Sequence, residues 1–595
     1  MKDFVKMTLA VICGLFLMGI IGFFLMIGFF GSLAAGSSST PVLPREGVLK
    51  MDMSKIALVE QASTQPDFAA LLQGSMVKPV GLYDAVRALN IAAADPGVKL
   101  IYLKTDGLNA GIAGMEELRV AISNFRQSGK AVVAYMESPT TGSYYLASVA
   151  DKVIMSSAGG AGPMITGIGT QMYFLKDILD KLGVNVQLIR HGKYKSAGEM
   201  YIRSTPSPEN LEQNQEMINS IWTSLSATIE ESRGMTPGKL GELVDNLTLG
   251  NAQDMAENGL VDLILSKEEV RQRLAVLAGK ESFADVTFIP FADYVTAKVV
   301  PAVKGRKQEI AILYAEGEIV DQDAPEQIGG DRYAKLIADL RNDDNVKAVV
   351  FRVSSPGGSV LASDKIKQEI DLLREKKPVI ASYGSYAASG GYWISNSCDK
   401  IFSDRTTLTG SIGVFSMIPD LSKTAKDLLH VGVTAVGSSK HSDMMGMMRP
   451  LDAQETAYMQ ESVEEIYSQF VSTVASGRDL EPDYVDSIAQ GRVWSGADAL
   501  SIGLVDSIGT LEDAVKYAAM VLTEGDADLS AWNVTSYPAP PSPMETVLAM
   551  VGGLNDDPDV FAGTPLQAVG QAFRHFSYNP ADRVWARMPY EYVIQ

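Results

Sequence analysis

The run Ala348-Val-Val-Phe-Arg352 continues directly into Val353-Ser-Ser-Pro-Gly-Gly-Ser-Val360. Its first five residues form a short apolar stretch before a turn, which predicts a buried strand. Residues 366–373 place Ile366, Ile370 and Leu373 on one face and predict a helix, and residues 379–382 predict the next strand. Strands that alternate with helices in this way are typical of βαβ units, so we expect an α/β domain.

The chain contains this unit twice. Tyr144 matches Tyr392 at a separation of 248 positions (392 − 144), and Gly259-Leu-Val-Asp262 recurs as Gly503-Leu-Val-Asp506. Internal repetition of this length indicates two related domains. We expect the first repeat at 47–307, the second at 308–522, and a C-terminal linker with short helices at 523–595.

The N-terminus predicts a membrane anchor. Residues 8–30 carry no charge, and these 23 residues would span about 34 Å as a helix, enough for a hydrocarbon core of roughly 30 Å. Lys2 and Lys6 precede the span and favour a cytoplasmic N-terminus, with the rest of the chain outside. We therefore expect residues 1–46 to form an uncleaved anchor and linker. A cleaved signal peptide is the alternative, although its apolar region is normally shorter.

Composition excludes several classes of function. The chain has 71 acidic and 51 basic residues and a formal charge of −20, so its surface repels a nucleic-acid backbone and no nucleic-acid partner is expected. The two cysteines exclude a disulfide framework, and the four histidines leave little material for a histidine-rich metal site. We expect no metal and no cofactor.

The two repeats differ where chemistry is expected. The second repeat has Pro356-Gly-Gly358, whose glycines could aim backbone N–H groups at a ligand, whereas the first has Leu108-Asn-Ala110. The second repeat also places Ser411 in a glycine-rich turn, and the corresponding Ile165-Thr-Gly-Ile-Gly169 lacks that serine. Ser411 is therefore a candidate nucleophile, with an ordinary turn residue as the alternative.

A serine nucleophile needs a base, and the few histidines favour lysine for this role. Lys195 and Lys440 each follow a glycine by three residues at matching points of the two repeats, and both are candidates. A lysine acts as a base near neutral pH only if its pKa falls by about 3 units from roughly 10.4, which requires burial. The ordinary alternative for either residue is a solvated surface charge.

Four motifs show a resemblance to a known family. They are Tyr194-Lys-Ser-Ala197, Ser355-Pro-Gly-Gly-Ser359, Ala388-Ser-Gly-Gly-Tyr392 and Leu408-Thr-Gly-Ser-Ile-Gly413. The arrangement resembles signal peptide peptidase A (protease IV) in its long, duplicated, membrane-anchored form, from the anchor to about residue 520. The resemblance implies tandem domains of the Clp protease and crotonase superfamily, assembled as a bowl-shaped homo-tetramer.

The resemblance also implies roles for individual residues. Ser411 would be the nucleophile and Lys195 the general base, while Gly357 or Gly358 and the amide of Ile412 would supply the oxyanion donors. Two features depart from the expected pattern. Gly198-Glu-Met200 follows the lysine motif where the family has Val-Glu-Pro, and Lys440 stands where single-unit members place their base. We prefer Lys195 because its surrounding motif matches better.

The expected function is serine endopeptidase activity, without metal or cofactor, on the outer side of a bacterial cytoplasmic membrane. By resemblance, the substrates are signal peptides and similar unfolded apolar segments. The alternatives are a crotonase-type acyl-CoA enzyme and an inactive membrane scaffold of the same fold. The hydroxyl that orients the lysine stays open, with Thr434, Ser438 and Ser439 as candidates.

Overall fold

The structure is a computed structural model that describes residues 14, 17–18, 40–62, 77–299, 308–322, 327–539 and 585–588. Apart from three isolated positions, the predicted membrane span at 8–30 lies outside the described residues. Among the described residues, no helix is both long and apolar enough to cross a bilayer. The anchor therefore stays a prediction.

The first repeat is built around a parallel sheet. Its strands are β1 (Gly47–Asp52), β2 (Ile56–Val59), β3 (Lys78–Gly81), β4 (Val98–Lys104), β5 (Val132–Met136), β6 (Lys152–Ser156), β7 (Asn185–Arg190), β8 (Leu263–Leu265) and β9 (Phe288–Pro290). Six of them form one sheet in the order β8-β6-β5-β4-β1-β9, with every neighbouring pair parallel. Helices cover both faces of such a sheet, which is why its strands are nearly continuous in apolar residues.

The second repeat has the same core. Its strands and the C-terminal strand are β10 (Glu309–Glu316), β11 (Ile319–Val320), β12 (Ile328–Gly329), β13 (Val346–Ser355), β14 (Gly357–Ser359), β15 (Val379–Ala388), β16 (Lys400–Ser403), β17 (Leu408–Gly410), β18 (Phe415–Asp420), β19 (Val493–Ser495), β20 (Ser507–Ile508), β21 (Asn533–Tyr537) and β22 (Trp585–Arg587). The order β20-β16-β15-β13-β10-β21 repeats that of the first sheet strand for strand. The predicted α/β duplication is confirmed.

The C-terminal part differs from the expectation of a linker with short helices at 523–595. Strand β21 pairs with β10 as β9 pairs with β1, so the second sheet continues beyond residue 522. Residues 585–587 also form a strand rather than a helix. Both segments are short, and their strand conformation comes from pairing with distant strands, which local sequence patterns do not record.

Helices fill the connections between strands. Two helices of 26 residues, Pro208–Arg233 and Ala453–Arg478, occupy equivalent places in the two repeats. Ser207 and Asp452 cap their N-termini by accepting backbone N–H groups. Between residues 40 and 539, the other α-helices in the described ranges are Leu82–Ala94, Ile112–Gln127, Thr141–Ala147, Lys176–Lys181, Glu199–Ile202, Lys239–Asp245, Ala252–Glu257, Lys267–Leu277, Phe291–Lys298, Gly330–Asn342, Val360–Arg374, Gly390–Trp393, Pro482–Ile488, Gly496–Ser501 and Leu511–Thr523.

A third sheet joins the two repeats. Its order is β12-β11-β14-β22-β18-β7, so β7 of the first repeat lies against β18 of the second. The two strands are antiparallel, and their register runs from Asn185 opposite Asp420 to Arg190 opposite Phe415. Residue 195 follows Arg190 and residue 411 precedes Phe415, so both lie beyond the same end of this strand pair. The pairing therefore brings the two candidate catalytic segments to the same place.

Buried charges fix a second contact between the repeats. The guanidinium of Arg352, on β13, is fully buried and donates to Glu60 at 2.8 Å, and it lies 2.7 Å from a carboxylate oxygen of Glu117. Both acids belong to the first repeat. A buried charge is tolerated only when it is paired, so this cluster orients the first repeat against the strand that leads into the Pro-Gly-Gly turn.

Candidate active site

The candidate nucleophile, Ser411, lies in a sharp turn between β17 and β18. Its backbone φ is 49° and that of Gly410 is 74°, so both adopt the left-handed region that favours glycine. A Cβ at Gly410 would lie 2.9 Å from the ring of Trp494, which explains the glycine. The Ser411 N–H donates to the carbonyl of Arg492 at 2.7 Å. The turn therefore holds a fully buried serine in a strained, fixed conformation.

The amine of Lys195 contacts this serine. Its Nζ lies 3.0 Å from Ser411 Oγ and 3.0 Å from the Ser411 carbonyl oxygen, and it donates to Ser389 Oγ at 2.8 Å. The neighbouring Lys193 is exposed, whereas Lys195 has no solvent exposure. The structure thus brings together Lys195 and Ser411, which were predicted separately from opposite halves of the chain.

Two glycines make room for the lysine stem. A Cβ at Gly491 would lie 2.5 Å from Lys195 Cβ, and a Cβ at Gly413 would lie 3.2 Å from Lys195 Cδ. Gly491 also has a φ of 79°, which side chains rarely adopt. Because both glycines belong to the second repeat, the lysine of the first repeat is held in a slot formed by the second.

Burial determines the protonation of this lysine. Removal of the amine from water lowers the pKa of Lys195 well below its ordinary value of 10.5. Among the described residues, no carboxylate forms a salt bridge with Lys195 to oppose this effect. A lowered pKa favours the neutral form of the amine, and a neutral amine can accept the proton of a serine hydroxyl.

The loop that carries Lys195 is anchored by buried polar contacts. Arg190 donates to the carbonyl of Lys195 at 2.7 Å and pairs with Glu199 at 3.1 Å. Glu199 is fully buried and accepts from Ser207 and Asn210. Although burial opposes it, these hydrogen bonds and Arg190 hold the pKa of Glu199 below its usual value. The departure from the family pattern at residues 198–200 therefore still yields a well-tethered loop.

The candidate oxyanion turn lies beside the same cluster. Gly357 and Gly358 have φ values of 99° and 158°, and a Cβ on Gly357 would lie 2.6 Å from the amide nitrogen of Gly390. The Gly357 N–H donates to Ser355 Oγ at 3.2 Å. Ser389, next to Gly390, donates its N–H to the carbonyl of Gly410 at 2.8 Å. The turn, Ser389 and the nucleophile loop are thus neighbours, and buried Ile412 directly follows the nucleophile.

Ser389 contacts the candidate base, and the sequence analysis did not name it as the partner of the lysine. The three predicted orienting hydroxyls, Thr434, Ser438 and Ser439, are exposed, and the lysine contacts Ser389 instead. Ser389 has a φ of 54°, a second strained serine in the site. The repeat places Thr141 opposite Ser389, so both halves carry a hydroxyl there. A comparison that searched for differences between the halves could not find it.

Lys440 lies elsewhere. Its side chain is 67% exposed, donates to Gln454 at 3.1 Å and pairs with Asp452 at 3.6 Å. In the described part of the chain, it has no hydrogen bond with Ser411. Lys195 Nζ lies 3.0 Å from Ser411 Oγ and Lys440 donates to Gln454 instead, so the geometry supports Lys195 over Lys440 as the base.

In the first repeat, the position equivalent to Ser411 holds a residue that has no nucleophilic group. An isolated bridge pairs Thr140 with Met164, just as Ala388 pairs with Gly410 in the second repeat. The residue after Met164 is Ile165, which is buried, so an aliphatic side chain stands where Ser411 stands in the other half. The sequence comparison had instead aligned Gly167 with Gly410. The structural register therefore corrects that alignment by three residues.

A buried lysine amine within hydrogen-bonding distance of a serine hydroxyl is one of the arrangements that can activate a serine nucleophile. The sequence profile of peptidase family S49 matches residues 124–281 and 371–523, one segment in each repeat. The chain belongs to peptidase family S49, and it is a serine peptidase.

Individual relatives agree with this assignment. Protease 4 of Haemophilus influenzae is 34% identical over 525 residues, covering 85% of this chain and 84% of its own. Protease 4 of Salmonella typhi is 34% identical over 550 residues, covering 89% and 86%. The chloroplastic serine protease SPPA of Arabidopsis thaliana is 32% identical over 434 residues, covering 72% and 64%. Among solved structures, a ClpP1 mutant of Listeria monocytogenes covers 34% of this chain and 93% of its own at 16% identity, with a TM-score of 0.24 that supports no conclusion about fold.

Proposed function

We propose that this chain is a membrane-anchored endopeptidase that uses a Ser411–Lys195 dyad to degrade cleaved signal peptides and similar unfolded apolar peptides. The observation that carries the dyad is the 3.0 Å distance between Lys195 Nζ and Ser411 Oγ in a fully buried setting. The lowered pKa of Lys195 supports the role of general base, because only the neutral amine can accept a proton.

The proposed reaction proceeds through an acyl-enzyme. Neutral Lys195 accepts the hydroxyl proton of Ser411 while Oγ attacks the peptide carbonyl, which gives a tetrahedral oxyanion. The amides of Gly357 or Gly358 and of Ile412 are the proposed donors to that oxyanion, and losing one such donor costs about 3 to 4 kcal/mol in a studied protease. The lysine then protonates the leaving amine as the C–N bond breaks. Water, deprotonated by Lys195, hydrolyses the ester and regenerates Ser411.

Ser389 is proposed as the residue that positions the lysine. Its Oγ accepts a hydrogen bond from Lys195 Nζ. This bond orients the amine so that its lone pair can face Ser411 Oγ. Neither serine is exposed to water. Fixing the base in this way reduces the reorganisation required when the proton moves.

The proposed location follows from the N-terminal sequence. The uncharged run at 8–30, with Lys2 and Lys6 before it, supports a single span with a cytoplasmic N-terminus and a catalytic part outside. A tether of this kind would hold the site beside the membrane, where signal peptides are released. We further propose that both repeats have the Clp protease/crotonase-like fold. Their boundaries are those predicted above, except that the second repeat extends to β21. We also propose that the chain assembles as a homo-tetramer.

A serine-directed fluorophosphonate probe tests the proposed nucleophile. The full-length protein should be labelled at Ser411, as located by peptide mass spectrometry, and should cleave an unfolded apolar peptide. Ser411→Ala should abolish labelling and reduce cleavage to below a few per cent, while Ser438→Ala, an exposed serine, should change neither. Cleavage that survives in Ser411→Ala would contradict the assignment.

A further inference from the structure

The backbone of residues 490–492 connects the two loops that carry the proposed dyad. The carbonyl of Arg492 accepts the N–H of Ser411 at 2.7 Å. Two residues earlier, the carbonyl of Gln490 accepts the N–H of Tyr194 at 2.9 Å. This short segment of the second repeat therefore bonds both to the nucleophile turn and to the loop of the first repeat that carries the base.

The side chain of Arg492 makes the same connection. Its guanidinium carbon lies 4.9 Å from the ring centre of Tyr194 and 4.4 Å from that of Trp494. Tyr194 directly precedes Lys195, and the ring of Trp494 lies against Gly410, which directly precedes the nucleophile. A guanidinium plane stacks well on aromatic rings. The arginine thus contacts one ring beside the base and another beside the nucleophile.

Two acids of the first repeat pair with this arginine. Arg492 forms a salt bridge with Glu216, and its Nη1 lies 4.0 Å from Glu212. Glu212 also accepts the hydroxyl of Tyr194 at 2.9 Å. The side chain of Arg492 is 18% exposed, whereas about half of each acid is exposed. Exposed ion pairs contribute little, so the stacked guanidinium is the stronger part of this contact.

The first repeat has no arginine at the matching position. The motif Gly259-Leu-Val-Asp262 recurs 244 positions later (503 − 259), and the same separation places Thr248 opposite Arg492 (492 − 244). A threonine side chain is too short to reach two rings on neighbouring loops. The arginine is therefore present in the repeat that has the serine, and it is absent from the repeat that has Ile165 in its place.

On the basis of the peptidase activity proposed above, we propose that Arg492 is a positioning residue that sets the distance between Lys195 and Ser411. Its carbonyl holds the nucleophile turn, and its guanidinium holds the base loop through the ring of Tyr194. The 3.0 Å between Nζ and Oγ joins two different repeats, so it depends on a contact of this kind at their boundary. Arg492 itself exchanges no proton and forms no bond with the substrate.

Loss of this contact should alter the reaction in two ways. A misplacement of about 1 Å between reacting groups can cost about 10²-fold in rate. A looser boundary would also admit water to Lys195, which has no solvent exposure in the intact site, and hydration raises the pKa of a buried amine towards its ordinary value. The acidic limb of the pH–rate profile would then move to higher pH. An arginine that only stabilises the fold would leave that limb in place.

Substitutions in the full-length protein test this role. We expect Arg492→Ala to lower kcat about 100-fold with KM within about twofold, and to move the acidic limb up by about one pH unit. Arg492→Lys keeps the charge but loses the plane, so it should lose roughly tenfold in kcat with a smaller shift of the limb. If Arg492→Ala does not fold, as judged by circular dichroism, the shift in Arg492→Lys decides the question.

Two control variants isolate the stacking contact. Glu216→Gln removes the exposed ion pair but leaves the guanidinium between its rings, so kcat should stay within about twofold. Arg271 also lies over a ring, that of Phe283, and also pairs with an acid, Glu268. Arg271→Ala should leave kcat, KM and the pH profile unchanged. A loss in Glu216→Gln as large as that in Arg492→Ala would contradict the role of stacking.

The rate of fluorophosphonate labelling separates positioning from substrate binding, because the probe needs an activated serine but no peptide contacts. Arg492→Ala should slow labelling of Ser411 by about the same factor as kcat. A raised KM with unchanged kcat and labelling would show that Arg492 binds substrate, and an unmoved acidic limb would show a structural role; either result overturns the proposal. If the wild type shows no Ser411-dependent cleavage, the proposed function itself fails. If it does and Arg492→Ala matches it, only the positioning role fails.

Discussion

Replacement of Lys195 by methionine tests the proposed base most directly, because methionine has a similar length and no amine. The amine lies 3.0 Å from Ser411 Oγ, so its removal takes away general-base assistance worth roughly 10² to 10⁴ in rate. Members of one catalytic unit are not additive. We therefore expect Lys195→Met to lower kcat/KM about 10³-fold or more, and Lys195→Met combined with Ser411→Ala to be no worse.

The pH dependence carries a second signature of the same lysine. The proposed mechanism requires the neutral amine, so kcat/KM should fall tenfold per pH unit below the folded-state pKa of Lys195, which burial holds well below 10.5. Stability should change in the same direction. Between the folded pKa and about 10.4 the unfolded state binds one more proton, so the free energy of unfolding rises with pH by up to about 1.4 kcal/mol per unit. Below the folded pKa both states are protonated and this slope disappears.

The assay combines pH–rate profiles with urea unfolding of the wild type, Lys195→Met and a control, Lys440→Met. Lys195→Met should lack the extra stability slope, and Lys440→Met should keep both the slope and nearly all activity, since Lys440 is exposed. An inactive Lys440→Met with an active Lys195→Met would refute the assignment and confine catalysis to the second repeat.

Two further substitutions test the groups around the lysine. Ser389→Ala should lower kcat roughly tenfold or more with KM unchanged. It should also move the acidic limb of the pH profile to lower pH, because the hydrogen bond that it removes stabilises the ammonium form of Lys195. Ser389→Thr should restore activity in part. An unmoved acidic limb would show that Ser389 has only a structural role. Gly491→Ala should displace the stem of Lys195 and lower kcat roughly 100-fold. Gly503 has the same φ of 79° but more room around its Cα, so Gly503→Ala should only lower the free energy of unfolding in urea, by about 1 to 3 kcal/mol, through backbone strain. Equal activities of these two glycine variants would contradict the slot described for the lysine.

Local sequence patterns predicted the core elements well. The strand expected at 348–352 is the centre of β13, and the helix expected at 366–373 lies within Val360–Arg374. These elements are long or fully buried, so their apolar periodicity is strong. The duplication was also readable, because both repeats retain the same buried positions.

What the sequence did not predict depends on contacts between distant residues. Nothing local in β7 or β18 indicates that these strands pair across the two repeats. Ser389 was missed because Thr141 has a hydroxyl at the equivalent position. Strand β22 was missed because a segment of three residues is a strand only through its pairing with β14 and β18, which the local sequence does not indicate. The dyad itself was found through differences between the halves and a resemblance, not through geometry.

The slot that Gly413 and Gly491 form for Lys195 has a consequence for the chain while it is being synthesised. Lys195 and Ser411 are separated by 216 residues, which take roughly 10 to 40 s to synthesise at 5–20 residues per second. Throughout that interval Lys195 lacks the slot in which it is buried, because Gly413 and Gly491 have not yet been made. A nascent chain is itself an unfolded peptide of the kind such an enzyme cleaves. With the proposed dyad, we therefore expect no cleaving power before Gly491 has been synthesised and the two repeats have docked.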